Sequence, residues 1–249
     1  MNINKLFLLV KNFLFPASCA LCCNALFYAD EIKYGICNNC IHSFEVINEA
    51  RCSICGKHLI SEIDTCLSCR KQEIKRTYNK LWVLYPYTGK YRKLLASYKF
   101  EKNIPLANFF AEKIMALINE NPVLKDAVIV PVPPRYAKIK TTGWDQVDKL
   151  VKTLEKIYIN LTVCKCLKRL KSKVQKNLNR MERLDNLKGR IFFDNKKAQK
   201  KDMFFSGNTP KPALLIDDVI TTGSTIEVCS QVLKENGVQE VYGLCLFYD

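Results

Sequence analysis

Four C-x-x-C pairs close to the start of the chain constrain its fold more than any other feature. Taken in order, they form C-x2-C-x14-C-x2-C followed by C-x2-C-x10-C-x2-C, so the motif occurs twice in tandem. Each half supplies four thiolates, the ligand set of a tetrahedral structural zinc site in a zinc ribbon. We therefore predict two structural zinc ions, with iron–sulfur ligation by the same thiolates as the main alternative. The predicted ligands are Cys19, Cys22, Cys37, Cys40, Cys52, Cys55, Cys66 and Cys69.

The apolar N-terminal stretch MNINKLFLLVKNFLFPASC does not have the pattern of a membrane span. Lys5, Lys11 and Asn12 interrupt it, and it falls well short of the roughly 20 apolar residues that cross a bilayer. We predict an amphipathic first helix that packs on the protein or lies on a membrane surface, and no transmembrane segment. Because no convincing secretory signal precedes the cysteines, disulfides are not expected.

Beyond the cysteine pairs, the chain alternates between strand-like and helix-like segments. Strand-like runs occupy residues 81–87 and the segments AVIVPVPP, ALLIDD and VYGLCLFY, and helical spacing occurs at 106–118, at 144–157 and in STIEVCSQVLKENG. This alternation predicts an α/β fold with an open, mostly parallel sheet, whose ligands bind at the carboxyl ends of the strands. We place a small zinc-ribbon domain at 1–75 and the larger α/β domain at 76–249.

The segment PALLIDDVITTGSTIEV joins an apolar strand to a helix through a loop rich in hydroxyl groups. Asp217 and Asp218 are expected at the strand's carboxyl end, both within reach of solvent, and Gly223 lets the following loop turn tightly. The loop's N–H and hydroxyl groups are suited to one dianionic phosphate, whereas the two carboxylates are suited to a vicinal diol. Phosphate plus diol describes a ribose 5-phosphate. The predicted phosphate-binding residues are Thr221, Thr222, Gly223, Ser224 and Thr225.

The stretch LLIDDVITTGST resembles the phosphoribosyl-pyrophosphate (PRPP) motif of type I phosphoribosyltransferases. Together with the cysteine pairs, YTGKYRKLLASYKFEKNIPLA and VPVPP followed by GWDQ, it makes nearly the whole chain similar to the ComF competence-protein family. The resemblance implies a type I phosphoribosyltransferase-like sheet preceded by a small zinc-ribbon domain. It also implies that Asp217 and Asp218 bind the ribose hydroxyls, that the loop binds the 5-phosphate, and that magnesium accompanies PRPP.

The resemblance implies a cytoplasmic protein that acts in natural transformation on incoming single-stranded DNA. The DNA-uptake machinery at the inner membrane is then an expected partner, with a peripheral membrane position as an alternative. One hypothesis is a phosphoribosyltransferase, an enzyme that transfers a pentosyl group, whose acceptor and catalytic residues the sequence does not name. The other is a non-catalytic PRPP-fold adaptor for single-stranded DNA, or a nucleotide sensor. The only two histidines, His42 and His58, lie among the cysteine pairs, which disfavours Ser–His chemistry in the larger domain.

Positive charge is concentrated between residues 161 and 201, where fourteen Lys and Arg face three acidic residues and supply +11 of the net +15. In this fold a flexible hood closes there, so the block is expected to contact pyrophosphate or single-stranded DNA, with a solvated surface as the alternative. The candidates are Lys168, Arg169, Lys171, Lys173, Gln175 and Arg183. Phe192 and Phe193 are expected in a strand buried in the sheet, which leaves DNA affinity mostly electrostatic.

Two further cations follow the strand VIVPVPP, where this fold carries its pyrophosphate loop. Arg135 and Lys138 are therefore candidates for stabilising the charge that develops on a leaving pyrophosphate. The alternative is that both are ordinary exposed surface charges.

Overall fold

The computed structural model describes residues 16–44, 50–71, 76–135, 139–140, 143–170, 187, 189–196, 204–206 and 209–249. Its α-helices are α1 Ala29–Tyr34, α2 Asn38–His42, α3 Leu67–Arg70, α4 Gly89–Lys99, α5 Leu106–Glu120, α6 Gln146–Ile157 and α7 Ser224–Glu235. Its strands are β1 Lys80–Pro86, β2 Val128–Pro131, β3 Leu167–Arg169, β4 Ile191–Phe193, β5 Phe205–Ser206, β6 Thr209–Pro210, β7 Ala213–Ile220 and β8 Val241–Tyr248. No helix within these residues is long and apolar enough to cross a membrane.

The main sheet has the strand order β1-β8-β7-β2, and all three pairings are parallel. Every residue of β2 is buried, as are nearly all residues of β8, because helices cover both faces of the sheet. The edge strand β1 instead alternates buried and half-buried residues. The predicted open, parallel α/β sheet is therefore confirmed, with the strands at the four predicted segments.

Two hydrophobic cores lie on opposite faces of this sheet. One face packs against α4, α5 and α6, with Phe110, Leu150 and Leu244 among its fully buried residues. The other face packs against α7 and against the two-stranded sheet formed by β3 and β4, with Cys229 and Val241 fully buried. The helix after β2 covers one face and the helix after β7 covers the other, so the chain leaves the adjacent carboxyl ends of these two strands in opposite directions. Such a switch point is where open α/β sheets bind ligands.

The structure corrects three details of the sequence prediction. Strand β7 continues two residues past Asp218 to Ile220, so the acidic pair lies inside the strand and not at its tip. Residues 191–193 do form a strand, but it pairs with β3 in a separate antiparallel sheet and not with the main sheet. Helix α6 begins at Gln146, because Asp145 caps it by accepting a hydrogen bond from the Asp148 backbone N–H at 2.6 Å.

Two predictions fall partly outside the described residues. The expected amphipathic first helix lies within residues 1–15, and the domain boundary near residue 75 adjoins the undescribed residues 72–75. The division at 75/76 therefore stays a prediction.

Candidate zinc centres and ligand site

The eight paired cysteines form two separate clusters, as the sequential pairing predicts. Within each cluster the four sulfur atoms all lie within 4.8 Å of one another. The Sγ atoms of Cys22 and Cys37 are 3.6 Å apart, and those of Cys55 and Cys66 are 3.7 Å apart. Four sulfurs bound to one zinc at about 2.3 Å stand about 3.8 Å apart in a tetrahedron, so both clusters fit zinc.

The first cysteine of each cluster sits in the same arrangement of backbone donors. Burial alone raises the pKa of Cys19, but backbone N–H groups of Cys22, Cys37 and Leu21 outweigh it and lower that pKa to about 7. Burial is likewise outweighed at Cys52, whose pKa falls to about 7 through the backbone of Cys55, Cys66 and Ile54. Hydrogen bonds to a thiolate favour the deprotonated form that ligates zinc, so the fold prepares both sites for metal.

The carboxylates of Asp217 and Asp218 point to opposite faces of β7, because successive strand residues alternate. Their Oδ1 atoms accept from the next backbone N–H, at 2.8 Å for Asp217 and 3.0 Å for Asp218. Asp217 is half-buried on the α7 face, where burial and its negative charge raise the pKa of the Cys229 thiol. Asp218 lies on the other face, 3.2 Å from the Lys99 ammonium of α4.

The expectation that both carboxylates are open to solvent is wrong for Asp218, which is only 7% exposed. Its charge is offset inside the protein by Lys99, a pairing that the sequence analysis did not predict. Removing either partner leaves a poorly solvated charge behind. Asp218 is thus a structural ion-pair partner as well as a candidate ligand residue.

The loop after β7 leads directly into the N-terminus of α7. Gly223 has φ +76° and precedes the first helical residue, a conformation that favours glycine. The hydroxyls of Thr222 and Ser224 lie 2.9 Å apart, and Ser224 is buried while Thr221 is exposed. Because the first N–H groups of a helix have no intrahelical acceptor, this loop carries donors that are suited to an anion.

Arg169 lies within electrostatic range of two other arginines and of Asp217. Arg135 follows β2, Arg169 ends β3 and Arg190 precedes β4. Burial lowers the pKa of the Arg169 guanidinium, and the positive charges of Arg135 and Arg190 lower it further, while Asp217 opposes them. The buried Nε atom of Arg169 has no hydrogen-bond partner within the described part of the chain. Clustered cations of this kind are suited to a multiply charged anion.

The hairpin formed by β3 and β4 presents different chemistry on its two faces. Arg169 points toward the main domain, whereas Lys168 and Phe192 are opposite one another in the register and exposed. Phe192 is 40% exposed, so the expectation that it is buried is wrong. Lys168 also pairs with Asp194. A cation and an aromatic ring therefore share the outer surface of this hairpin.

Five of the sequence-predicted candidates lie outside the described residues, namely Lys138, Lys171, Lys173, Gln175 and Arg183. The sequence analysis missed Lys99 and Arg190, which lie beside the predicted site residues. Lys99 lies in the segment YTGKYRKLLASYKFEKNIPLA, which the sequence analysis used only for the family resemblance. Its ion pair with Asp218 depends on how α4 packs, which no local pattern reveals. Arg190 is brought to Arg169 by the hairpin register, which no local pattern reveals.

The fold and its two clusters of four cysteines define an α/β protein with an open parallel sheet preceded by zinc ribbons. The family model described as a double zinc ribbon domain matches residues 10–72. The chain is 28% identical to competence protein ComFC of Streptococcus pneumoniae, over 83% of this chain and 84% of that protein. It is 27% identical to competence protein F of Haemophilus influenzae, over 84% and 88%, and 24% identical to ComFC of Bacillus subtilis, over 81% and 79%. The chain is therefore similar to ComFC-type competence proteins over most of its length.

Proposed function

We propose that this protein binds PRPP, with the 5-phosphate on the loop after β7 and the pyrophosphate among the three arginines. The observation that carries the proposal is the position of these two groups of donors at the carboxyl ends of adjacent strands. The loop follows β7, whereas Arg135 follows the neighbouring strand β2. A ligand with phosphate groups at both ends of a sugar spans such a pair of sites.

The charge balance of the arginine cluster supports a diphosphate in particular. Arg169 is partly desolvated by burial and repelled by two cations, and Asp217 is the acidic residue whose charge opposes them. A bound pyrophosphate supplies several negative charges and acceptor oxygens, including one for the unpaired Nε of Arg169. Guanidinium groups suit this ligand because their planar donors bind phosphate oxygens in pairs.

The sugar and its magnesium ion would occupy the space between the two sites. Asp217 and Asp218 come immediately before the loop, which suits them to accept hydrogen bonds from ribose hydroxyls. Magnesium prefers oxygen ligands and keeps several waters, so it binds through the ligand's phosphates with one or two carboxylates. Asp217 is the more accessible carboxylate for that purpose, because Asp218 is paired with Lys99.

We further propose that the protein acts in DNA uptake during natural transformation and contacts the incoming single-stranded DNA. The names of its relatives as competence proteins support this role. The outer face of the β3–β4 hairpin supports DNA contact, because the Lys168 cation and the exposed Phe192 ring match a backbone phosphate and a stacked base. If the protein transfers the 5-phosphoribosyl group to an acceptor with release of pyrophosphate, it is a phosphoribosyltransferase. If it only binds PRPP, it is an adaptor or sensor.

Isothermal titration calorimetry with PRPP and magnesium tests the ligand. The zinc-loaded parent is expected to bind one PRPP, and Asp217→Asn to bind it at least about tenfold more weakly, because the charged acceptor is replaced by a neutral amide. Asp148→Asn is the matched control, since that carboxylate pairs with Lys152 and Lys165 on the surface. Absence of binding by the parent at millimolar PRPP would reject the proposal.

A further inference from the structure

Residues 76–79 connect the second zinc ribbon to the sheet and lie directly against the loop after β7. The Thr77 backbone N–H donates to Glu227 Oε1 at 2.9 Å, and the Thr77 hydroxyl donates to the Glu227 carbonyl at 3.3 Å. Glu227 stands in the first turn of α7, and its backbone N–H donates to the Gly223 carbonyl at 2.9 Å. The connecting segment is therefore anchored on the helix whose N-terminus forms the candidate phosphate site.

The side chains of Arg76 and Tyr78 reach from this segment to Gly223. A Cβ atom on Gly223 would lie 3.3 Å from the Arg76 Nη1 atom and 3.8 Å from the Tyr78 hydroxyl. The Arg76 guanidinium also stacks on the Tyr78 ring, 5.5 Å from its centroid. A side chain at 223 would be strained by the positive φ and would press against Arg76.

These two side chains carry three buried donors without an acceptor. The Nε and Nη1 atoms of Arg76 and the hydroxyl of Tyr78 have no hydrogen-bond partner within the described residues, and Tyr78 is only 3% exposed. Burial raises the pKa of Tyr78, so its hydroxyl keeps its proton and remains a donor. Buried polar groups normally find partners, and an anion is the partner that satisfies several converging donors at once.

We propose that Arg76 and Tyr78 form part of the phosphate site, supplying a cation and a hydroxyl from the segment that joins the zinc ribbon to the sheet. The inference rests on the proposed binding of a ribose 5-phosphate ligand at the loop. It links the second ribbon to that ligand through this segment. Just beyond the segment, the Leu81 N–H donates at 2.9 Å to the carbonyl of Ile54, which lies between Cys52 and Cys55.

Glu227 offers a competing explanation, because its Oε2 atom is also buried without a partner among the described residues. If Arg76 served only to neutralise this carboxylate, its role would be purely structural. The two explanations differ for Glu227→Gln, which removes the negative charge and keeps an acceptor for the Thr77 N–H. That substitution leaves or strengthens phosphate binding if Arg76 acts on the ligand, and it copies an Arg76 variant if the pair is structural.

The test is titration of the full-length, zinc-loaded protein with ribose 5-phosphate and, separately, with inorganic pyrophosphate. Arg76→Gln is expected to weaken ribose 5-phosphate binding about tenfold or more while leaving pyrophosphate binding unchanged. Tyr78→Phe keeps the ring and is expected to give a smaller loss with the same selectivity. Arg92→Gln is the matched control, because exposed Arg92 also stacks on a tyrosine, Tyr87, at 5.7 Å.

Unchanged ribose 5-phosphate affinity in Arg76→Gln would overturn the inference while leaving the proposed function intact. Equal weakening of both ligands, or a loss caused by Glu227→Gln as large as that of Arg76→Gln, would also overturn it in favour of a structural role. A parent protein that binds neither ligand would reject the inference and the proposed function together.

Discussion

Each of the two zinc ribbons has its own set of four cysteine ligands, but the two are packed in the protein in different ways. In the first cluster Cys22 is exposed and Cys40 half-buried, whereas all four cysteines of the second cluster are buried. The apolar residues of the first ribbon, including Leu26 and Ile36, belong to the core that also contains α5. Those of the second ribbon form a small cluster of their own around Leu59 and Ile54.

Zinc therefore contributes differently to the two ribbons, because only one of them shares the hydrophobic core of the main domain. The first ribbon has packing that is independent of zinc, and Lys93 of α4 further ties it to the domain by donating to the Leu21 carbonyl. The second ribbon contacts β1, where the Leu81 N–H donates to the Ile54 carbonyl at 2.9 Å and Gly56 fits closely against Leu81 and Val83. Metal must therefore supply a larger share of the folding free energy of the second ribbon.

The largest expected effect follows removal of a ligand from the second cluster. Cys52→Ser is expected to release one of two zinc ions and to disorder residues 50–71, because structural zinc contributes on the order of 10 kcal/mol to such folds. Cys22→Ser should weaken the first zinc site while its ribbon stays packed. Metal analysis gives the zinc content of both variants, and hydrogen exchange gives the order of each ribbon. Equal disorder in the two would contradict the difference proposed between the ribbons.

Truncation of buried apolar side chains should instead affect the whole protein more when it is made in the first ribbon than in the second. Ile36→Ala is expected to lower the free energy of global unfolding by about 2–5 kcal/mol, because Ile36 is fully buried in the shared core. Leu59→Ala, in the small separate cluster, should chiefly lower the stability of the second ribbon. Denaturant unfolding with far-UV circular dichroism reports the global change, and a larger global destabilisation by Leu59→Ala would argue against the comparison.

Acidification should release zinc from the first ribbon before the second. The pKa of Cys19 and of Cys52 is about 7 without metal, so protons compete more strongly for these ligands as the pH falls below that value. Water reaches Cys22 but not the buried second cluster. A chromogenic chelator measures zinc release as a function of pH. Comparison with Cys22→Ser, which weakens the first site, shows which of the two ions is released first. Release of the second zinc first would count against this account.

The smallest expected effect separates the two faces of the β3–β4 hairpin, the second contrast within the molecule. Lys168→Gln should make the slope of log binding constant against log salt concentration shallower for single-stranded DNA, by about 0.7 for each phosphate that the protein no longer neutralises. Pyrophosphate binding should be unchanged. Arg169→Gln is the matched variant and should weaken pyrophosphate binding while sparing DNA binding. Weaker binding of both ligands by either variant would mean that they share one surface.

Much of this architecture could be predicted from local patterns. The cysteine spacing determined the two clusters, and the apolar runs located the four strands of the main sheet, because both signals lie in consecutive residues. The burial of Asp218 could not be predicted, since it depends on Lys99 arriving from α4 more than a hundred residues earlier. The positions of Arg190 and Arg76 likewise depend on strand register and on packing between segments. Phe192 was misjudged because its apolar neighbour Ile191 faces the core while Phe192 itself faces out.

Hydrogen–deuterium exchange of the full-length, zinc-loaded protein, with and without millimolar PRPP and magnesium, tests the ligand site and the contrast between the ribbons together. We expect slower exchange in peptides covering 217–225 and in those covering 76–79. We also expect slower exchange in the second ribbon at 50–71 and unchanged exchange in the first ribbon at 16–44. Unchanged exchange at 217–225 would contradict the ligand site, and equal slowing in both ribbons would contradict the distinction between them.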